Sequence, residues 1–148
     1  MTFQFAYENI LSLKEKEKDL TLSEVGRLTI KKEGIQKELN SLRQNRLDCA
    51  AQWEQQNNVT FISHILQRNE YLGFLDKKIA SFEKKLAEVD REIAVKKDEL
   101  LSKQKEAKTW TSLREKSLNS YLEQQKKVEQ DVLDEIASIR HFHQNAMI

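Results

Sequence analysis

The sequence predicts an all-α protein: a long antiparallel two-helix coiled-coil hairpin with a C-terminal helical overhang. Three observations support this prediction. The 148 residues include no proline and only three glycines, so few positions can interrupt a helix. Apolar residues recur about every 3.5 positions along most of the chain, which is the spacing of a helix that packs its seam against another helix. Only one short segment, following Gln56, has the composition of a turn.

The first helix is predicted over about residues 3–56, with its apolar stripe in two blocks. The first block is Ala6, Ile10, Leu13, Glu17 and Leu20. The second block is Val25, Leu28, Lys32, Ile35, Leu39, Leu42, Arg46, Cys49 and Trp53. The phase slips by about one residue between the blocks. Gly26 and Gly34 lie near this slip, and we expect them to soften the helix.

A turn is predicted over about residues 57–60, Asn57-Asn58-Val59-Thr60. Asparagine tolerates the left-handed conformation that ends a helix, and Thr60 or Asn58 can cap the helix that follows.

The second helix is predicted over about residues 61–142. Its stripe begins at Phe61, passes Gly73 without a slip and reaches Val128. It then shifts by an insertion of four residues. The whole chain, 1–148, is therefore predicted to be a single elongated coiled-coil domain.

Charged residues within the seam predict how the two helices align. Facing residues of an antiparallel hairpin have numbers that sum to a constant, here roughly 120. Under this rule Glu17 faces Lys103 and Glu24 faces Lys96, so opposite charges meet. We expect these pairs to set the register, because a slip would place charges against apolar neighbours. The same rule predicts three apolar pairs: Ile10 with Trp110, Leu13 with Ala107, and Leu20 with Leu100.

The C-terminal part of the second helix is predicted to have no partner within the chain. The first helix is exhausted near Phe3, opposite Ser117, so a tail begins at about Leu118. An exposed apolar stripe on a helix indicates a protein partner. The tail carries such a stripe: Leu118, Leu122, Val128, Val132, Ile136, Ile139 and Phe142.

Composition argues against several other classes of protein. The formal net charge is +1, with both signs interleaved, so no basic face predicts nucleic-acid binding. The single Cys49 cannot form an internal disulfide, which fits a reducing compartment such as the cytoplasm. We expect no signal peptide, and no apolar run approaches the roughly 18 residues of a membrane span.

No constellation of residues predicts catalysis, so we expect a non-enzymatic protein with no cofactor and no metal. The three glycines are isolated, which excludes a phosphate-binding loop. His141 and His143 are two residues apart and so lie on different faces of a helix. A solvated tail explains them better than a metal site.

A parallel homodimer that pairs through the seam is the main structural alternative. The Asn57-Asn58 turn and the matched Glu/Lys levels favour the intramolecular hairpin. The chain is therefore expected to be a monomer on its own.

The sequence resembles the FliJ proteins of the bacterial flagellar export apparatus. The resemblance spans nearly the whole chain and rests on residues 3–17, 71–75, 110–116 and 134–137. Its most specific parts are the aromatic start, Phe3-Gln4-Phe5, and the run Asp134-Glu135-Ile136-Ala137.

This resemblance implies a component of the flagellar type III export machine, similar to the γ-subunit stalk of rotary ATPases. Its implied partners are the export ATPase FliI (with FliH), the export gate protein FlhA and export chaperones. The implied location is the cytoplasm, peripherally associated with the inner face of the cell membrane at the flagellar base. Motility, chemotaxis and chaperone activity are the associated processes.

The resemblance also implies two sets of contact residues. The candidate gate contact consists of Leu42, Tyr71 and Phe74. The candidate ATPase contact consists of Phe3, Phe5, Leu118, Val132, Asp134, Glu135, Ile136 and Ile139.

Two other functions remain open at the level of sequence. One is a general export chaperone that masks aggregation-prone segments of flagellar substrates. The other is the equivalent stalk of a virulence type III secretion system, although the Phe3-Gln4-Phe5 start favours the flagellar branch.

Overall fold

A computed structural model describes residues 2–56 and 61–146 of the chain. Within these ranges the chain forms two helices, α1 (Glu8–Gln55) and α2 (Ile62–Ala146), and no strand. The two long helices pack against each other, which confirms the predicted all-α hairpin. The predicted turn at 57–60 lies outside the described residues. Helix α2 continues through Gly73 without interruption.

Helix α1 begins at Glu8, later in the chain than the predicted start near residue 3. The backbone N–H of Glu8 donates to the carbonyl of Phe5 at 3.2 Å, which makes a turn ahead of the helix. The Glu8 carboxylate lies in the first helical turn, where it interacts favourably with the helix dipole. Phe5 lies in the non-helical lead and is buried.

Contacts between residues divide the chain into two compact units, and both helices contribute to each. Unit 1 comprises Met1–Lys18 and Ser102–Ile148, and unit 2 comprises Asp19–Leu101.

Unit 2 contains the main apolar core. Leu28, Val89 and Ile93 form a buried cluster, against which Ile35 packs. The second predicted block of α1 faces this core, since all its members are buried or half-buried. Within unit 2, the predicted stripe of α2 also faces the core, except at its start, where Phe61 and Ile65 are exposed. Beyond unit 2, the stripe residues Ser117, Gln124 and Val128 are exposed as well.

The predicted stripe is wrong for the first block of α1. Ile10, Leu13 and Leu20 are exposed, whereas Leu11 and Thr21 are buried. The apolar pairs predicted for Ile10, Leu13 and Leu20 are therefore not part of the buried seam.

The seam of α1 is continuous, and the predicted phase slip is absent. Counting back from Val25 by steps of four and three residues reaches Thr21, Lys18, Lys14 and Leu11. Each of these residues is buried or half-buried. Because three successive seam positions are polar, the apolar pattern alone does not indicate the seam in this part of α1.

In the described part of the chain, no helix combines the length and apolar content that crossing a bilayer requires.

Candidate partner-binding surfaces

The tail, defined as residues 122–146 of α2, is the most exposed surface of unit 1. All described side chains from Lys126 onward are exposed. Val128, Val132, Ile136 and Ile139 recur at spacings of four and three residues, which places them on one helix face. Leu133 is also exposed, about 100° around the helix from Val132. The tail therefore presents apolar side chains on more than one side.

Acidic residues lie beside this apolar face. Residues 129–135 contain four carboxylates and no Lys or Arg. Two of them, Asp134 and Glu135, belong to the candidate ATPase contact, and both are exposed. The side chain of Gln130 donates to Asp134 Oδ1 at 3.1 Å, along the same helix. Such a surface complements a partner that is apolar at its centre and basic at its edge.

The aromatic residues near the start of unit 1 pack internally. The ring of Phe3 lies 5.5 Å from that of Tyr121, centroid to centroid. The guanidinium of Arg114 lies 5.8 Å from the Phe3 ring centroid, and its Nε donates to Glu8 at 3.0 Å. Phe5 is only 9% exposed. Phe3 and Phe5, which sequence reasoning assigned to a partner, are thus turned towards their own chain.

Leu118 differs from the other members of the candidate ATPase contact on α2. It is half-buried, whereas Val132, Ile136 and Ile139 are exposed. The exposed members of this set therefore lie in the tail, whereas Phe3, Phe5 and Leu118 are buried or half-buried.

Ion pairs connect the two helices within unit 1. Lys14 Nζ lies 3.1 Å from Glu106 Oε2, and Lys103 Nζ lies 3.3 Å from Glu17 Oε2. The hydrogen bond from Lys14, with its charge, lowers the pKa of the Glu106 carboxyl. The same hydrogen bond raises the pKa of Lys14.

Ion pairs also line the seam of unit 2. Lys96 Nζ lies 2.8 Å from Glu24 Oε2, the second charged pair that sequence reasoning placed face to face. The hydrogen bond from Lys96 lowers the pKa of Glu24 and raises that of Lys96. Lys32 pairs with Asp90 at 2.8 Å. The residues of both predicted pairs are thus in contact, while their role in setting the register stays a prediction.

Unit 2 carries an aromatic cluster, defined here as Trp53, Arg68, Tyr71 and Phe74. The Tyr71 ring lies 6.0 Å from that of Trp53 and stacks on that of Phe74 at 6.4 Å. The Arg68 guanidinium lies 5.5 Å from the Trp53 ring centroid. Tyr71 and Phe74 are exposed. Aromatic and arginine side chains of this kind dominate the energetics of many protein interfaces.

Leu42 does not belong with this exposed group. Its side chain is only 8% exposed and lies in the seam, so a partner cannot reach it in this conformation. Sequence reasoning missed Trp53 and Arg68 as surface-cluster residues because both fall on seam positions. Their half-buried position still leaves part of each side chain at the surface.

The described residues contain no group of three His, Cys, Asp or Glu side chains that could hold a metal ion. His141 Nε2 instead lies 3.2 Å from the Asn145 side chain, one turn along the helix. The surfaces that the structure presents are suited to contacts with other proteins.

Comparisons with known proteins give a family match and a relative. Residues 3–146 match the family model described as flagellar FliJ protein. The chain is 25% identical over 144 residues to the flagellar FliJ protein of Bacillus subtilis (strain 168). That alignment covers 96% of this chain and 97% of the relative. No solved structure matches the chain significantly.

Proposed function

The chain belongs to the FliJ family, and from this premise we propose that it acts as a stalk-like coiled coil that binds the export ATPase FliI through its tail. Members of the family are structural or accessory components of the flagellar export apparatus. The proposed role adds a specific contact and a mechanical purpose to that general assignment.

The exposed tail is the observation that carries the proposal. Residues 128–142 extend for about 21 Å along the helix axis at a rise of 1.5 Å per residue. Apolar side chains lie on two sides of this segment, at Val132 and Leu133. A helix that is apolar on more than one side and free of intramolecular cover is suited to being surrounded by its partner. A ring of ATPase subunits would supply such surroundings.

Binding of this kind can regulate an enzyme without any catalytic group on the stalk. A ligand shifts a conformational equilibrium only if it binds one state better than another. We propose that the tail binds some FliI ring conformations better than others and thereby promotes assembly and activity of the ring, with FliH. The four carboxylates of residues 129–135 would favour a basic edge on the ring and accelerate the encounter.

The second part of the proposal concerns the aromatic cluster of unit 2. Tyr71 and Phe74 are exposed and stacked, so they can insert into an apolar pocket as a preformed pair. We assign this pair, without the buried Leu42, to the contact with the export gate protein FlhA. A chain that carries both surfaces would link the ATPase to the gate at the membrane. Contacts with export chaperones would use the same exposed surfaces.

The proposal is tested by the ATPase rate of purified FliI, measured with increasing amounts of three full-length forms. These are the unchanged chain, the variant V132A/I136A, and the control I30A/L47A. The control removes two apolar side chains from unit 2 that are also exposed, Ile30 at 71% and Leu47 at 61%. Alanine keeps the helix intact in both variants.

Stimulation by the unchanged chain and the control, with loss in V132A/I136A, would support the tail as the ATPase contact. Equal stimulation by all three forms would reject the tail as the ATPase contact. No stimulation by any form would reject the stalk function, and a general export chaperone would then be the better proposal.

A further inference from the structure

We infer that residues 2–18 form a detachable strap, which opens as a unit and uncovers a face of α2 that is continuous with the tail. The strap and the face of α2 that it covers both lie within unit 1.

The strap covers a defined face of α2. Phe3 packs on Tyr121, and the Tyr7 ring lies 5.7 Å from the Trp110 ring. Leu11 and Ala107 are buried at the same interface. Beneath the strap, α2 therefore presents Ala107, Trp110, Leu118 and Tyr121.

This covered face continues directly into the tail. From Leu118, steps of three and four residues reach Tyr121, Gln125, Val128 and Val132. Leu118, Tyr121 and Gln125 are half-buried, whereas Val128 and Val132 are exposed. A single stripe of α2 thus passes from under the strap into the exposed surface. A helix or groove that grips the tail and extends along this stripe would meet the strap.

Few apolar side chains hold the strap in place. Phe5 and Leu11 are its only buried apolar residues among those described. The next two seam positions of α1 are Lys14 and Lys18, which are only half-buried. Unit 2 is different, because α1 buries Leu28, Leu39 and Leu42 there. The strap must therefore order a long stretch of chain with much less apolar burial.

The ion pairs of the strap are partly solvated. The side chains of its ion pairs with Glu106, Lys103 and Arg114 are 27–56% exposed. Ion pairs at this level of exposure contribute little and are screened by salt. Once detached, residues 8–18 would be an unpacked end of α1. Helix ends that lack tertiary packing fray in water. Local opening of the strap therefore requires less free energy than separation of the helices in unit 2.

The first experiment uses the isolated full-length chain and amide hydrogen exchange followed by mass spectrometry. We expect protection factors for residues 8–18 at least tenfold lower than those for residues 28–46. We expect L11A to lower protection of residues 8–18 at least tenfold further and to leave residues 28–46 unchanged. The matched control is L13A, since Leu13 is 54% exposed and Leu11 only 5%. It should leave both segments unchanged.

Two results would overturn the inference. One is equal protection of residues 8–18 and 28–46 in the unchanged chain. The other is an equal loss of protection in both segments of L11A, because the strap would then be part of a single cooperative structure. Neither result depends on what the tail binds.

A second measurement tests what the opening uncovers. In a W53F background Trp110 is the only tryptophan, and L11A should raise the acrylamide quenching constant of its fluorescence at least twofold. An unchanged quenching constant would contradict uncovering of the α2 face.

A consequence for binding rests on the proposed function. If FliI extends along the stripe, its apparent affinity is the affinity of the open form multiplied by the fraction of chains whose strap is open. L11A should then bind FliI several-fold more tightly than L13A. Equal affinities, together with a strap that opens by hydrogen exchange, would show that FliI stops within the tail. No binding by any form would reject the proposed function and leave the strap itself supported.

Discussion

The substitution L39A tests the packing of unit 2 most directly. Leu39 is 1% exposed, the lowest exposure in the buried core. Truncation to alanine removes three carbon atoms, which corresponds to about 2.4 kcal/mol of transfer free energy at about 0.8 kcal/mol each. A residual cavity adds to this loss, but an interface of two helices borders solvent and can partly close around the site. We expect L39A to lower the free energy of unfolding by about 3 kcal/mol.

The assay is equilibrium unfolding in urea, followed by circular dichroism at 222 nm. With a urea m-value of about 2 kcal/mol/M, the midpoint should fall by about 1.5 M. The matched control is L47A, since Leu47 lies on the same helix and is 61% exposed. It should change the free energy by less than about 0.5 kcal/mol, because surface changes to a strong helix former cost little. If both variants lost the same stability, the seam described for α1 would be wrong.

Three further predictions concern charge and the aromatic cluster. The hydrogen bond from Lys96 lowers the pKa of Glu24 in the folded chain. The ionised Glu24 therefore stabilises the fold above the unfolded-state carboxyl pKa of about 4.3. This stabilisation is lost as the pH falls through the lower folded-state pKa. The urea midpoint of E24Q should therefore fall less between about pH 6 and about pH 2 than that of the unchanged chain. An identical fall in both proteins would contradict this. In a double-mutant cycle, E24A and K96A together should lower the urea midpoint by less than the sum of the single changes, whereas additive losses would mean that the ion pair contributes nothing. F74A should weaken binding to FlhA at least tenfold in a pull-down or calorimetric titration, while F61A, which removes an exposed ring outside the cluster, should bind normally.

The fold followed from the sequence because the apolar seam is nearly complete over most of its length. Seam positions recur at the predicted spacing from Val25 to Trp53 and from Arg68 to Lys103, and all of them are buried or half-buried. The wrong prediction of the buried stripe at the start of α1 has a physical cause. Seam positions in a two-stranded coil border water on both sides, so long side chains can lie across them with their charges solvated. Extending the phase of Val25 backwards, regardless of polarity, would have found Leu11.

The candidate surfaces were predictable only in part. Exposure of Val132, Ile136 and Ile139 followed from counting how far α1 could cover α2. Internal packing of Phe3 and Phe5 could not be predicted, because it requires the chain ahead of Glu8 to leave helical geometry. A seam position also does not determine whether an aromatic ring is fully covered. Trp53 illustrates this, since it occupies a seam position but is only half-buried and contacts the exposed Tyr71.

The distribution of polar residues in the seam has a functional logic. Unit 2 is held by buried leucine, valine and isoleucine side chains, so its pairing resists local opening. Unit 1 contains the tail and is held mainly by ion pairs and a few aromatic contacts. Binding surfaces that must adapt to a partner are drawn from the less stable parts of a protein. Replacing Lys14 and Lys18 by leucine should therefore stabilise the pairing of α1 in unit 1 and slow exchange of residues 8–18. If the strap competes with FliI, the same variant should also bind FliI more weakly, although the tail itself is unchanged.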